Sequence, residues 1–115
     1  MRTRQFTPLS QTHVVAAAVS APAGVQIPIV SAKESENGGI FRIVNNGTVD
    51  VWLGVGGTAT TAQTNAAIAS SGSPANGVFL LAGAAEVFRF AKDSFFSAIT
   101  ASGTSNVVIS QGNGE

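Results

Sequence analysis

The side chains able to carry acid–base or metal chemistry are few: one histidine, His13, and six carboxylates, Glu34, Glu36, Asp50, Glu86, Asp93 and Glu115. A serine nucleophile paired with His13 would need an orienting acid, and nothing in the order of residues selects one. One histidine also falls short of a multi-histidine metal site. At the edge of an expected strand, His13 reads as an ordinary hydrogen-bonded histidine. Glycoside hydrolysis needs two carboxylates across a sugar cleft, but Glu34 and Glu36 share the polar turn Ser31–Gly39, where charges face water. Asp50 is expected on a sheet face opposite the core. Glu86 is expected to pair across strands with Arg42 or Arg89, and Asp93 follows Lys92 in a turn. A calcium loop would concentrate several acids in one segment, and none does. Phosphate-loop, dinucleotide, nucleophile-elbow and zinc-protease motifs are missing, as is cysteine. The expectation is a chain with no catalytic residue, no cofactor and no metal.

Binding chemistry has better candidates. Trp52 falls on the strand face opposite Val51 and Leu53, where an indole can stack on a sugar ring or dock on a partner; filling the edge of a sandwich core is the equal alternative. Phe95-Phe96 puts one ring on each face of a strand, so one of the two leaves the core or is covered by a partner, and Phe95 is the candidate taken. Arg2, Arg4 and Phe6 combine charge-assisted donors with an apolar anchor, a set suited to gripping an adjacent subunit. Ile68 is the one large apolar side chain in a low-complexity stretch, residues 56–77.

These residues must be positioned by strands. Apolar positions alternate or occur in short runs, punctuated by Gly, Asn, Ser and Pro every 8–12 residues, the rhythm of a sandwich or barrel. The expected strands are His13–Val19, Val25–Ser31, Ile40–Asn45, Thr48–Val55, Val78–Leu81, Ala85–Phe90, Phe95–Ala101 and Asn106–Ser110. In the fourth, Val49, Val51, Leu53 and Val55 share a face, and Asp50, Trp52 and Gly54 the other. Asn45-Asn46-Gly47 predicts a hairpin between the third and fourth strands. Ser102-Gly103-Thr104-Ser105 predicts a second, C-terminal hairpin. Phe88 and Phe90 share a face opposite Val87 and Arg89, and Ala82-Gly83-Ala84 turns the chain into that strand.

The alanine-rich stretches Val14–Ala23 and Thr64–Ser70 lack a helical apolar stripe and are limited by Pro22 and Pro74. At most a short helical turn is expected near Asn65–Ser70. The fold expected is all-β: a two-sheet antiparallel, jelly-roll-like sandwich of about eight strands. It comprises an N-terminal arm, residues 1–12, and one domain, residues 13–115, with a long loop over 56–77. A loop of that length is commonly functional or disordered; this one is expected to be an ordered contact loop packing on a neighbour, with a floppy surface loop as the alternative.

Length and charge set the class. The chain has 115 residues, room for one domain. Its hydrophobic content is 44% and its mean hydropathy +0.30, which argues against disorder. Six basic and six acidic residues make 10% charged and no net charge, against roughly 25% charged in a typical domain. Residues 51–85 carry no ionisable group at all. A surface so thin in charge favours association. The six cations are scattered, against the clustering that phosphate backbones require, so no nucleic acid is expected. No apolar run reaches membrane-spanning length, and the apolar stretch Val14–Val19 is too short and too late for a signal peptide. Residence in a cytoplasm followed by assembly is the expectation.

The order "FRIVNNGTVDVWLGVG", a Thr/Ala loop, "FLLAGAAEVFRF" and "SAITASGTSNVVISQGNGE" resembles a group of small virion proteins of tailed bacteriophages. In these an R-I-V-N-x-G-T strand precedes an Ala-Gly turn, an E-V-F strand and a closing A-x-G-T-x-x-V segment. The resemblance covers Ile40 to Glu115, and the ending Gly112-Asn113-Gly114-Glu115 departs from the commoner pattern. It implies a capsid decoration or cement protein, a jelly roll seated on the exterior of the head as a homo-dimer or homo-trimer. Its partner would be the major capsid protein and its location the virion, after assembly in the host cytoplasm. A tail or head-fibre component, or an adhesin-type module using Trp52 for host glycans, is the alternative. No functional residue carries over, so the candidate interface rests on Arg2, Arg4, Phe6, Trp52, Ile68 and Phe95.

Overall fold

Among the described residues, alternating apolar positions produce nine strands that form two antiparallel sheets. The computed structural model describes residues 7–8, 12–27, 39–91 and 93–113. In chain order the strands are β1 (Thr7–Pro8), β2 (His13–Ala17), β3 (Val25–Gln26), β4 (Gly39–Asn45), β5 (Val51–Gly56), β6 (Val78–Leu80), β7 (Ala85–Phe90), β8 (Phe95–Ile99) and β9 (Ser105–Asn113). A helix, α1 (Ala59–Asn65), lies between β5 and β6. In the first sheet β9 pairs with β4, and β4 with β7, while β1 and β2 follow one another along the other edge of β9. The second sheet has the order β3-β8-β5-β6. Each sheet is therefore four strands wide.

The pairs nest: β2 with β9, β3 with β8, β4 with β7 and β5 with β6. This is a long antiparallel ribbon rolled into a sandwich, the jelly-roll arrangement. Nesting also corrects both hairpins expected from turn residues. β4 and β5 belong to different sheets, as do β8 and β9, so Asn45-Asn46-Gly47 and Ser102–Ser105 are corners between sheets. Asn-Gly reports a sharp change of direction, whichever sheet the chain then enters. Gly47 is also outside the left-handed region, unlike Gly72, Gly83 and Gly103. It is needed for space, because a Cβ there would collide with Ser105 Oγ. The corner delays β5, which starts at Val51 rather than Thr48.

The core closes where Val15, Ala17, Phe41, Ile43, Val107 and Ile109 of the first sheet meet Val51, Leu53, Leu80, Phe96 and Ala98 of the second. Phe96 ties the layers, its ring centroid 5.1 Å from that of Phe41 and 5.6 Å from that of Phe90. Such tilted and edge-on pairs add about 0.5–1.5 kcal/mol beyond area burial. Phe88 and Phe90 do share the inner face, with Val87 and Arg89 outside.

Residues 56–77 are not loop throughout. Seven of them form α1, which begins before the expected helical turn because Thr58 caps it: extended at φ −139° and ψ 164°, Thr58 accepts from the Thr61 N–H at 3.0 Å. Ala62 and Ala66 are buried against the outside of the chain's own second sheet, over Gly54. The uncharged run is thus partly explained within the domain. Thr58→Ala should cost about 1 kcal/mol, measured by urea unfolding. The expected arm is also partly strand, since Thr7 and Pro8 pair with Asn113 and Gly112.

Candidate functional site

Four-stranded sheets present an outer face as well as a core, and the two outer faces differ. On the second sheet, α1 and the segment before β3 cover the middle. Ser97 Oγ donates to the Pro22 carbonyl at 2.6 Å, the Gly24 N–H to Ala59 at 3.2 Å, and Asn65 Nδ2 to Val55 at 2.8 Å. Beyond the helix the face reopens as an apolar row, Phe79–Trp52–Ile99, in cross-strand register. The Trp52 and Phe79 ring centroids are 5.0 Å apart. Phe79 and Leu81 are 45% and 58% exposed.

Beside Trp52, the β4–β5 and β8–β9 corners enclose an open pocket of ≈ 280 Å³, lined by Thr48, Val49, Asp50, Trp52, Ala101 and Ser102. Both corners are internally tied. Thr100 Oγ1 donates to the Gly103 carbonyl at 2.7 Å, Asn45 Nδ2 to Val49 at 2.9 Å, and the Ala82 N–H to Asp50 Oδ1 at 2.9 Å. Asp50 thus stands in a corner, holding the β6–β7 turn.

Among the described residues no helix lies over the outer face of the first sheet. Register puts Val14, Val108, Val44 and Ala85 in one row across all four strands. The flanking row holds Ser110, Arg42 and Val87, and the next Gly112, Ile40 and Arg89. Val14 and Val87 are more than half exposed. Among the described residues no acid lies on this face. Glu86 stands opposite Ile43, on the inner side at the sheet's rim, whereas Arg42 stands opposite Val87. Strand alternation therefore separates Glu86 from Arg42 and Arg89, correcting the expected cross-strand ion pairs. Arg42 has no ion-pair partner among the described residues.

Of the candidate interface residues, Arg2, Arg4 and Phe6 lie outside the described residues. Trp52 is half-buried on the outer face, which decides against the core-edge alternative. Phe95 is half-buried on that same face, opposite Gly56 and Gln26, and Phe96 fills the core. The helix separates Trp52 from Phe95, so the sheet does not bring them together. Ile68 is 38% exposed, and Ala67 beside it abuts Gly77, as does Trp52 Cβ. Ile68 and Trp52 are neighbours in one region. Sequence reasoning missed Phe79, Leu81 and Ile99, and the valine face entirely. The signal was present in Val14-Val15, where one side chain must leave the core, and in the alternation of Ile40, Arg42 and Val44.

His13 faces inward at the end of β2, opposite Ile109 and half-buried. Its imidazole makes no hydrogen bond among the described residues, contrary to the sequence expectation. Among those residues no group of three His, Asp or Glu could hold a metal ion, and no helix is long and apolar enough to cross a membrane. Glu34, Glu36 and Glu115 lie outside the described residues. Compared with protein-family models, curated proteins and solved structures, the chain finds no match.

Proposed function

We propose that this protein is a non-enzymatic structural subunit, a decoration or cement protein on the outside of a tailed-bacteriophage head. The observation that carries the reading is the uncovered valine face of the first sheet. Register turns its row of valines outward, so what it offers a partner is apolar surface, with Arg42 at the centre. Covering each half-exposed valine contributes roughly 1 kcal/mol, and Arg42 can take a partner's carboxylate through two parallel hydrogen bonds. The low overall charge and the resemblance of residues 40–115 to small phage virion proteins support the same reading. Seated across the boundary between major capsid subunits, and meeting its own copies as a dimer or trimer, a rigid jelly roll would resist the pressure of the packaged genome.

Val14 and Val87 stand near opposite edges of this face, so a Val14→Asp/Val87→Asp double variant tests it without disturbing the core. The expected result is unchanged cooperative unfolding. Light scattering should show the dimer or trimer mass falling to that of one copy, and co-sedimentation with phage capsid shells should drop at least about tenfold, since 1.4 kcal/mol is tenfold. A wild-type chain that is monomeric and indifferent to shells, or a double variant that binds them equally well, would overturn the proposal.

A further inference from the structure

The valine face leaves the pocket beside Trp52 without a role. We infer that this pocket binds a neutral saccharide. A sugar ring offers a flat C–H surface and a rim of hydroxyls that donate and accept, and the pocket supplies the complement of each. Trp52 gives the flat apolar wall, with Phe79 behind it at 5.0 Å between ring centroids, so the indole is positioned before any ligand arrives. Asp50 uses one carboxylate oxygen on the Ala82 N–H. Its second oxygen has no protein donor among the described residues and can accept from ligand hydroxyls. Thr48 and Ser102, on opposite corners of the pocket, have hydroxyls that make no hydrogen bond among the described residues.

Charge decides the class of sugar. No Lys or Arg lines the pocket and one carboxylate does, so phosphorylated, sulfated and acidic sugars are repelled. Volume decides the size. At ≈ 280 Å³ the pocket lies just below the usual 300–1,000 Å³ range of ligand sites, which suits one ring of a longer glycan. The corners are tied by the hydrogen bonds of Thr100, Asn45 and Asp50, so little ordering is required on binding. This site is on the opposite sheet from the valine face, and its test is independent of capsid binding.

The chain contains one tryptophan, so indole fluorescence reports Trp52 alone. The experiment titrates the purified chain with methyl glycosides of glucose, galactose, mannose and N-acetylglucosamine, and separately with tetramethylammonium, whose charge would be drawn to Trp52 and Asp50. A saturable change with at least one glycoside is expected, with half-saturation on the order of millimolar for a single ring. Asp50→Asn keeps an oxygen for the Ala82 N–H while removing the charge, and should weaken binding about tenfold. Ser102→Ala, at an exposed position, should weaken it several-fold with no change in unfolding. No saturable response to any of the four glycosides overturns the inference. So does a response that both substitutions leave unchanged, or one to tetramethylammonium alone.

Discussion

Asn45→Ala is expected to lower the unfolding free energy by about 3 kcal/mol, with no change in the denaturant slope. Asn45 is fully buried at the corner between β4 and β5. Its two amide hydrogens face three carbonyls, those of Val49 at 2.9 Å and of Leu80 and Leu81 at 3.2 Å, and its oxygen accepts from the Ser105 hydroxyl. One side chain thus fastens the first corner to the end of β6 and the start of β9. Alanine would strand the Leu80 carbonyl and the Ser105 hydroxyl in the interior, and each buried polar group left unpaired costs about 1–3 kcal/mol. Asn45→Asp should be no better, because it turns an acceptor toward those same carbonyls. Asn46→Ala is the control: its side chain is exposed, its backbone N–H still reaches Asn106 at 2.8 Å, and it should stay within about 0.5 kcal/mol of wild type. Urea unfolding measures all three. An Asn45→Ala protein within about 1 kcal/mol of wild type would remove the corner amide from the account of what holds the sheets in register.

That residue also shows where the sequence was legible and where it was not. Strand alternation is local physics, and it placed β7 at Ala85–Phe90, put Phe88 and Phe90 on one face, Phe95 and Phe96 on opposite faces and Trp52 opposite Val51 and Leu53, and called for two sheets. Pairing is not local. A jelly roll sends the chain from one sheet to the other at nearly every turn, so β4 meets β7 and β9 rather than β5. On its own the Asn45-Asn46-Gly47 signal reads as hairpin chemistry, where glycine is valued for positive φ. Here the asparagine is a buried tie and the glycine is space for Ser105.

The candidate site divides in the same way. Trp52 stood out as the lone tryptophan, but its pocket joins two corners some fifty residues apart in sequence, and only the rolled ribbon brings Thr48 to Ser102. The valine face was written in β2 and β4, yet valines read one strand at a time look like core. They become a surface only when four strands align Val14, Val108, Val44 and Ala85 in one row. The low-charge run over 51–85 carried a mixed message. Part of it answers to α1 packing on its own sheet, through alanines too small to register as an apolar stripe.

That packing leads to the other large effect. Gly54→Ala should destabilise the protein by about 3 kcal/mol, although alanine is normally the better residue in a strand interior. Gly54 faces outward from β5 beneath α1, and a Cβ there would lie 2.7 Å from Ala66 Cα, and closer still to the Ala62 carbonyl oxygen and the Ala66 nitrogen. All three are backbone atoms, and the last two make the 3.1 Å hydrogen bond that closes the helix, so no side chain can rotate away. Relief requires the helix to lift, at the top of the usual 1–3 kcal/mol range for overpacking, with loss of the Asn65–Val55 bond as well. Gly57→Ala is the control, because a Cβ there meets nothing within 4 Å, and it should be neutral or stabilising by up to about 1 kcal/mol. Hydrogen exchange separates mechanism from mere instability: the Ala66 amide should exchange faster by local opening, while β9 amides exchange only through global unfolding. Equal stability for the two alanine variants would mean that α1 is not seated on Gly54. If it is seated there, lifting it also displaces Ala67, which packs with Gly77 against Trp52, and the tryptophan emission should shift in Gly54→Ala alone.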